Sequence, residues 1–216
     1  MNCPFKKPRW ARRKDARPQE LLAAALDLFV ERGYAATRLD DVAAQAGVSK
    51  GTLYLYFTNK EELFKAVVRE NVVPILGEAE SIVDNFQGPT SDLFREIAFG
   101  WWEKIGGTKL SGITKLMIAE SSNFPEVAKF YHDEVITRGN AMIGRMLERG
   151  VASGEFRDID IKQSLNVVCA PMIMLMLWKH SFGALDAEAI SPETYLNNFI
   201  DLFLHGVLKP SSAPVS

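Results

Sequence analysis

Thr37-Arg38-Leu39-Asp40-Asp41-Val42-Ala43-Ala44-Gln45-Ala46-Gly47-Val48-Ser49-Lys50-Gly51-Thr52-Leu53-Tyr54-Leu55-Tyr56-Phe57 is the stretch whose reading decides the fold. Thr37, with Asp40 three residues on, has the form of a capping box opening a short helix that turns Val42, Ala43 and Ala46 inward. Gly47-Val48-Ser49 then makes a tight turn, and the Ser49 hydroxyl suits the N-cap of a second short helix, Lys50 to Phe57. Thr58-Asn59-Lys60-Glu61 reads as another capping box, starting a fourth helix that runs to about Ile75. Two short helices joined by so small a turn are the organisation of a helix-turn-helix.

Upstream, a helix starting near Pro18 carries Leu21, Leu22, Ala25, Leu26, Phe29 and Val30 on one face, and Gly33 stops it. Residues 1–16 are polar and basic and read as a flexible arm, followed by a helix-turn-helix unit over 17–65. Downstream, Gly88-Pro89, Gly106-Gly107-Thr108 and Asn123-Phe124-Pro125 break a helical body over 66–209. A long helix is expected from Pro125 to about Ser153. An apolar one follows from about Asp160 to Ser181, bent at Pro171. Ser191 caps the last helix, and 210–216 form a disordered tail. Strand alternation is scarce, so the expected class is all-α.

The charge is split. Residues 1–65 hold twelve Lys/Arg against eight Asp/Glu, the remainder thirteen against nineteen. A basic end on an acidic body is what docking one face on a polyanion requires, although a basic tail also serves solubility alone. The two cysteines, Cys3 and Cys169, lie too far apart to suggest a disulfide framework, which fits a reducing cytoplasm. The longest apolar run, Val167–Trp178, has 12 residues, short of a bilayer span, so no membrane partner is expected.

The pattern Gly33-Tyr34, Thr37, Val42-Ala43, Ala46-Gly47-Val48-Ser49, Gly51-Thr52-Leu53-Tyr54, Tyr56-Phe57, Lys60-Glu61 and Leu63-Phe64 resembles the tetracycline-repressor (TetR/AcrR-type) family of transcriptional regulators. Val42 stands where Ile is usual, and Arg38 where a second Thr is common. The resemblance covers about residues 17–65 and implies a larger helical C-terminal domain for ligand binding and dimerisation. It assigns double-stranded DNA contact to Thr37, Arg38, Ser49, Lys50, Gly51, Thr52, Tyr54, Tyr56 and Lys60. The chemistry agrees: Lys50 reaches a base edge or phosphate, Gly51 permits close approach, and Thr52 offers both a hydroxyl and a methyl. The tyrosine hydroxyls suit phosphates, which set register. Arg12, Arg13 and Arg17 are placed to follow the groove or backbone nearby. Leu53 and Phe57 read as core.

One short recognition helix reads few base pairs, so a homodimer on a palindromic operator is expected. By analogy with the family, the final two helices supply the interface, with Met174, Trp178, Tyr195, Phe199 and Phe203 as candidates. Trp101, Trp102, Met117, Phe130, Tyr131, Met142, Met146, Met172 and Met176 suit a plastic pocket for a small apolar or aromatic effector, though Met and aromatic stripes serve equally as plain core. The implied function is a repressor released by that effector. The alternative is a DNA-binding regulator without an effector, its C-terminal domain serving only dimerisation or protein contacts. His132, His180 and His205 are dispersed, no phosphate loop or nucleophile elbow occurs, and neither cofactor, metal nor enzymatic chemistry is expected.

Overall fold

The computed structural model describes residues 9–183, 185 and 190–209, with side chains from Pro18 onward. Helix α1 (Arg9–Ala36) begins well before Pro18, which lies inside it. The run Arg9-Trp10-Ala11-Arg12-Arg13-Lys14, rich in helix formers, carries it across the proline, so only residues 1–8 of the expected arm fall outside the described residues. Gly33 breaks the helix as expected: at φ 84° and ψ 170° it occupies an extended positive-φ region that glycine alone enters readily. Then follow α2 (Leu39–Gln45), α3 (Lys50–Tyr54) and α4 (Lys60–Asn71). The α2–α3 turn closes as a Schellman motif. Gly47 sits at φ 66° and donates to Ala44 O at 3.1 Å, and Val48 donates to Ala43 O at 2.9 Å.

The body continues with α5 (Val73–Asn85), so the fourth helix ends sooner than expected and Pro74 opens the next. Next come α6 (Thr90–Trp101), α7 (Ser111–Glu120), α8 (Pro125–Tyr131), α9 (Thr137–Ala152), α10 (Ile161–Lys179) and α11 (Pro192–Val207). Two wide π-type turns interrupt otherwise continuous helices: Trp102–Gly106 prolongs α6, and His132–Ile136 joins α8 to α9. No strand occurs among the described residues; one antiparallel bridge pairs Phe156 with Leu208. It closes the end of the bundle over Gly150, whose missing side chain admits the fully buried Phe156 ring.

The buried residues form two clusters. The first unites α1–α4 with α7 and α8: Leu28, Phe29, Leu53 and Phe64 share it with Ile113, Met117, Val127 and Phe130. The second lies among α5, α6, α9, α10 and α11, around Phe94, Met146, Leu147, Phe156 and Ile200. The first core therefore spans the boundary expected near residue 65. At Gly112 a side chain would strike Val30, so α7 lies directly on α1. The helix-turn-helix and this part of the body therefore share one packed interior.

Helix α10 is long and apolar enough, by length and composition, to cross a membrane, with a mean hydropathy of 1.4 over its window. The 12-residue run read from the sequence gains flanking residues once the helix is complete. In this fold α10 packs against α7, α9 and α11, yet only 17% of that window is buried. One face is left open along Val167 and Met174.

Candidate nucleic-acid interface

Helix α3 is short, and its placement depends on one buried residue and one cap. Leu53 is fully buried and turns α3 onto the first core. The Ser49 hydroxyl accepts from Thr52 N at 3.1 Å and lies 2.8 Å from Thr52 Oγ1. Phe57, also buried, anchors the exit. Between these anchors the outer surface presents Lys50, Gly51, Tyr54, Leu55 and Tyr56, with Thr52 half-buried. Tyr54 is 45% exposed and Tyr56 37%, unusual for aromatic side chains that a core would otherwise claim.

The surface is basic but restrained. Lys50 Nζ sits 2.9 Å from the Asp40 carboxylate and over the Tyr54 ring. Its hydrogen bond to Asp40 raises the ammonium above its ordinary pKa, so the side chain is firmly charged. Arg32 pairs in the same way with Asp41 at 3.2 Å. Both ion pairs are exposed, so each exchanges readily for a phosphate partner. Arg38, at the N-cap of α2, is exposed and its side chain makes no capping bond.

Two of the expected DNA contacts bond the end of α1: Thr37 from the interior, Lys60 from a half-buried position. Thr37 is 1% exposed, and its hydroxyl donates to Gly33 O at 2.7 Å and Leu28 O at 3.1 Å. It closes the carbonyl end of α1, and the capping box expected with Asp40 does not form. Lys60 donates to Tyr34 O at 2.6 Å and Ala35 O at 3.0 Å, with its ammonium 4.5 Å above the Tyr34 ring. Burial lowers its pKa, while Glu120 acts in the opposite sense. The carbonyls around the Gly33 break need donors: Thr37 serves Leu28 and Gly33, and Lys60 serves Tyr34 and Ala35. Both residues thus have a structural role at this junction. The second capping motif also shifts: Asn59 caps α4 by accepting from Glu62 N, and Glu62 takes both the amide and the hydroxyl of Thr58. Burial and Glu61 push the Tyr34 phenol up to about 12.

Arg12, Arg13 and Arg17 lie on the first turns of α1, and their side chains fall outside the described set. The candidate pocket residues do not converge. Met117, Phe130 and Tyr131 are buried in the first core, where Tyr131 bonds Thr114 at 2.9 Å. Met142 and Met146 are buried in the second core and Met172 packs against it. Met176 is fully buried in α10. Trp101 and Trp102 are half-buried around Gly106, where a side chain would strike both indoles. Trp102 borders a cleft of about 350 Å³, shared with Leu175, Trp178 and Lys179. Lys179 is exposed at its rim and donates to Gly107 O at 2.6 Å.

Among the interface candidates, Met174 is exposed and Trp178 half-buried. Phe199 is buried and Phe203 stacks on Phe94 at 4.7 Å, so both serve the second core of their own chain. Tyr195 is half-buried and donates to Pro171 O at 3.0 Å. Sequence reasoning passed over Leu55, Val167 and Leu202, all strongly exposed. Their signal was positional: each is an apolar residue that falls off the buried face of its segment.

A buried-Leu scaffold presenting a capped short helix with tyrosines outward defines the helix-turn-helix class of DNA-binding proteins. Residues 21–67 match the family described as bacterial regulatory proteins, tetR family. Residues 81–191 match the tetracyclin repressor-like C-terminal domain. The chain belongs to the tetR family of transcription regulators, a family of regulators rather than enzymes. It is 28% identical over 182 residues to the transcriptional repressor KstR2 of Mycolicibacterium smegmatis, covering 82% of this chain and 86% of the relative. It is 23% identical over 203 residues to the fatty acid metabolism regulator protein of Bacillus subtilis, covering 90% and 98%. The crystal structure of Bacillus subtilis FadR in complex with stearoyl-CoA has the same fold, with a TM-score of 0.72 at 19% identity, over 87% of this chain and 98% of that one.

Proposed function

We propose that this regulator is a repressor that binds a palindromic operator as a homodimer and is released by a small, mostly apolar effector. In this reading residues 17–65 read DNA and 66–209 dimerise and sense the effector, in a cytoplasmic protein. The observation that carries it is the outward surface of α3, where Lys50, Gly51, Tyr54 and Tyr56 stand exposed on a helix that Leu53 fixes from beneath. Arg38, Ser49 and Thr52 border that surface and complete the contact set. Lys50 leaves Asp40 for a phosphate or base edge, and the tyrosines and Ser49 set the register.

The open face of α10 supports dimerisation through a second copy. Val167 and Met174 on α10 and Leu202 on α11 are exposed apolar residues, and a stable dimer buries ~800 Å² per partner. The apolar effector is supported by the relatives, one a fatty acid metabolism regulator protein and one structure in complex with stearoyl-CoA. Binding would favour a spacing of recognition helices that does not fit successive grooves, a shift needing a few kcal/mol of preference between states. The shared core of α1, α4, α7 and α8 is the route for that shift.

The second reading, a dimeric regulator without an effector, is favoured by the packing of Met117, Met142 and Met146 into two separate cores. Stearoyl-CoA and shorter acyl-CoAs in a thermal-shift series separate the two. A raised melting temperature together with loss of DNA affinity supports the effector; a flat series supports the second reading. DNA recognition itself is tested by fluorescence anisotropy on the duplex upstream of the gene against a shuffled duplex at fixed salt. A preference of ~10³-fold, abolished by Tyr54→Ala, is expected; equal weak binding to both contradicts it.

A further inference from the structure

We infer that Leu55 is a base-reading residue, and that what it reads is the C5-methyl group of a thymine in the major groove. This rests on the DNA-reading role proposed for α3. Leu55 is 82% exposed, the most exposed large hydrophobic residue among those described. It follows directly on α3 with right-handed helical dihedrals, φ −71° and ψ −22°, so the helical register extends through it. At about 100° per residue, Leu55 lies about 200° around the helix from the buried Leu53, and Gly51 about 160°. Leu55 and Gly51 therefore share one ridge, one turn apart, pointing directly away from the core.

The ridge is open at both positions. A side chain built at Gly51 would meet nothing nearer than Ser49 Oγ at 3.9 Å. A glycine and a leucine on the outermost line of a recognition helix divide the work: the glycine lets the backbone approach, and the leucine fills the groove one turn further on. Its neighbours Thr52, Tyr54 and Tyr56 carry hydroxyls for phosphates or base edges. Leu55 alone in this group has no polar atom beyond its backbone. Its side chain cannot hydrogen-bond a phosphate. The one apolar feature a base pair offers in the major groove is the thymine methyl, so an isobutyl group placed here discriminates T·A from C·G and from the reversed pair.

The contact is measured by removing the methyl from the DNA. Wild-type protein first selects its preferred duplexes from a randomised pool. Each thymine of the selected duplex is then replaced in turn by uracil, which differs only in lacking the C5-methyl. Affinity is read by anisotropy for the wild type, Leu55→Ala and Leu55→Met. One thymine per half-site is expected to show a loss of ~4-fold on replacement, the value of one buried methyl group. That loss disappears in Leu55→Ala and persists in Leu55→Met, while penalties at other thymines stay the same in all three. A uracil profile identical in wild type and Leu55→Ala overturns the inference and leaves the DNA-reading role standing. Failure to enrich any sequence overturns both. Melting curves confirm that the variants are folded, as substitution at so exposed a position predicts.

Discussion

Replacing Thr37 by Val separates a structural role from a DNA contact at one of the family's motif positions. The hydroxyl is buried and divides its proton between Gly33 O at 2.7 Å and Leu28 O at 3.1 Å. Valine keeps the volume and leaves Gly33 O, at the broken end of α1, without its donor. An unsatisfied buried acceptor costs ~1–3 kcal/mol. For a chain of this size that is a fall in melting temperature of roughly 2–12 °C. Thr37→Ser retains the hydroxyl and loses only the methyl, so it should sit between the two. Thermal melting followed by circular dichroism gives the stability. Operator anisotropy, performed well below the variant's melting point, gives the affinity of the folded protein, which should match the wild type. Unchanged melting combined with weakened DNA binding would refute the placement of Thr37 in the interior.

The same logic extends to three further sites. Lys60→Met removes the donor to Tyr34 O and Ala35 O; stability should drop by about 1–2 kcal/mol after allowing for partial solvent screening. The slope of log affinity against log salt should not change, whereas a lost phosphate contact would reduce it by ~0.9 per protomer. Gly150→Ala would place a methyl 2.2 Å from the fully buried Phe156 ring, an overpacking cost of ~1–3 kcal/mol measurable in urea. His180 has its pKa lowered by burial and by the neighbouring Lys179 and Lys115, and its Nε2 is 2.7 Å from Ser111 Oγ. The unfolded chain then binds the proton more readily than the folded one. The stability is full above the ordinary value of about 6.5 and is lost as pH falls toward the lowered folded value. The acid-induced loss in melting temperature over that window should shrink in His180→Gln, and an unaltered pH profile would show that His180 does not contribute.

Much of this molecule was legible because local chemistry and global fold agree. Gly47 needs a positive φ, Ser49 needs only the next turn's amides, and Leu53 needs a core; each signal is contained within a few residues. The breaks at Gly33, Gly88-Pro89 and Gly106-Gly107 were legible for the same reason. The bonds of Thr37 and Lys60 to Leu28, Gly33, Tyr34 and Ala35 were not legible, because those partners meet at a fold junction that spacing alone does not reveal. Pro18 was taken as a helix start on its own preference, and the helix-forming residues before it prevailed. The π-type turn at His132–Ile136 left no mark in composition. The methionines and aromatics scattered through the body could not be sorted between pocket and core, since both use the same apolar side chains. Packing alone assigns Met117 to one core and Met146 to the other.

The central claim is that α3, held on a dimer, reads DNA sequence. Selection of bound duplexes from a randomised pool by the purified full-length chain, followed by sequencing, tests it most directly. The account predicts enrichment of an inverted repeat whose half-site centres lie ~34–36 Å, or a multiple of that, apart along the helix, with enrichment abolished in Tyr54→Ala. A pool that returns no common sequence, or one enriched equally by Tyr54→Ala, would contradict it.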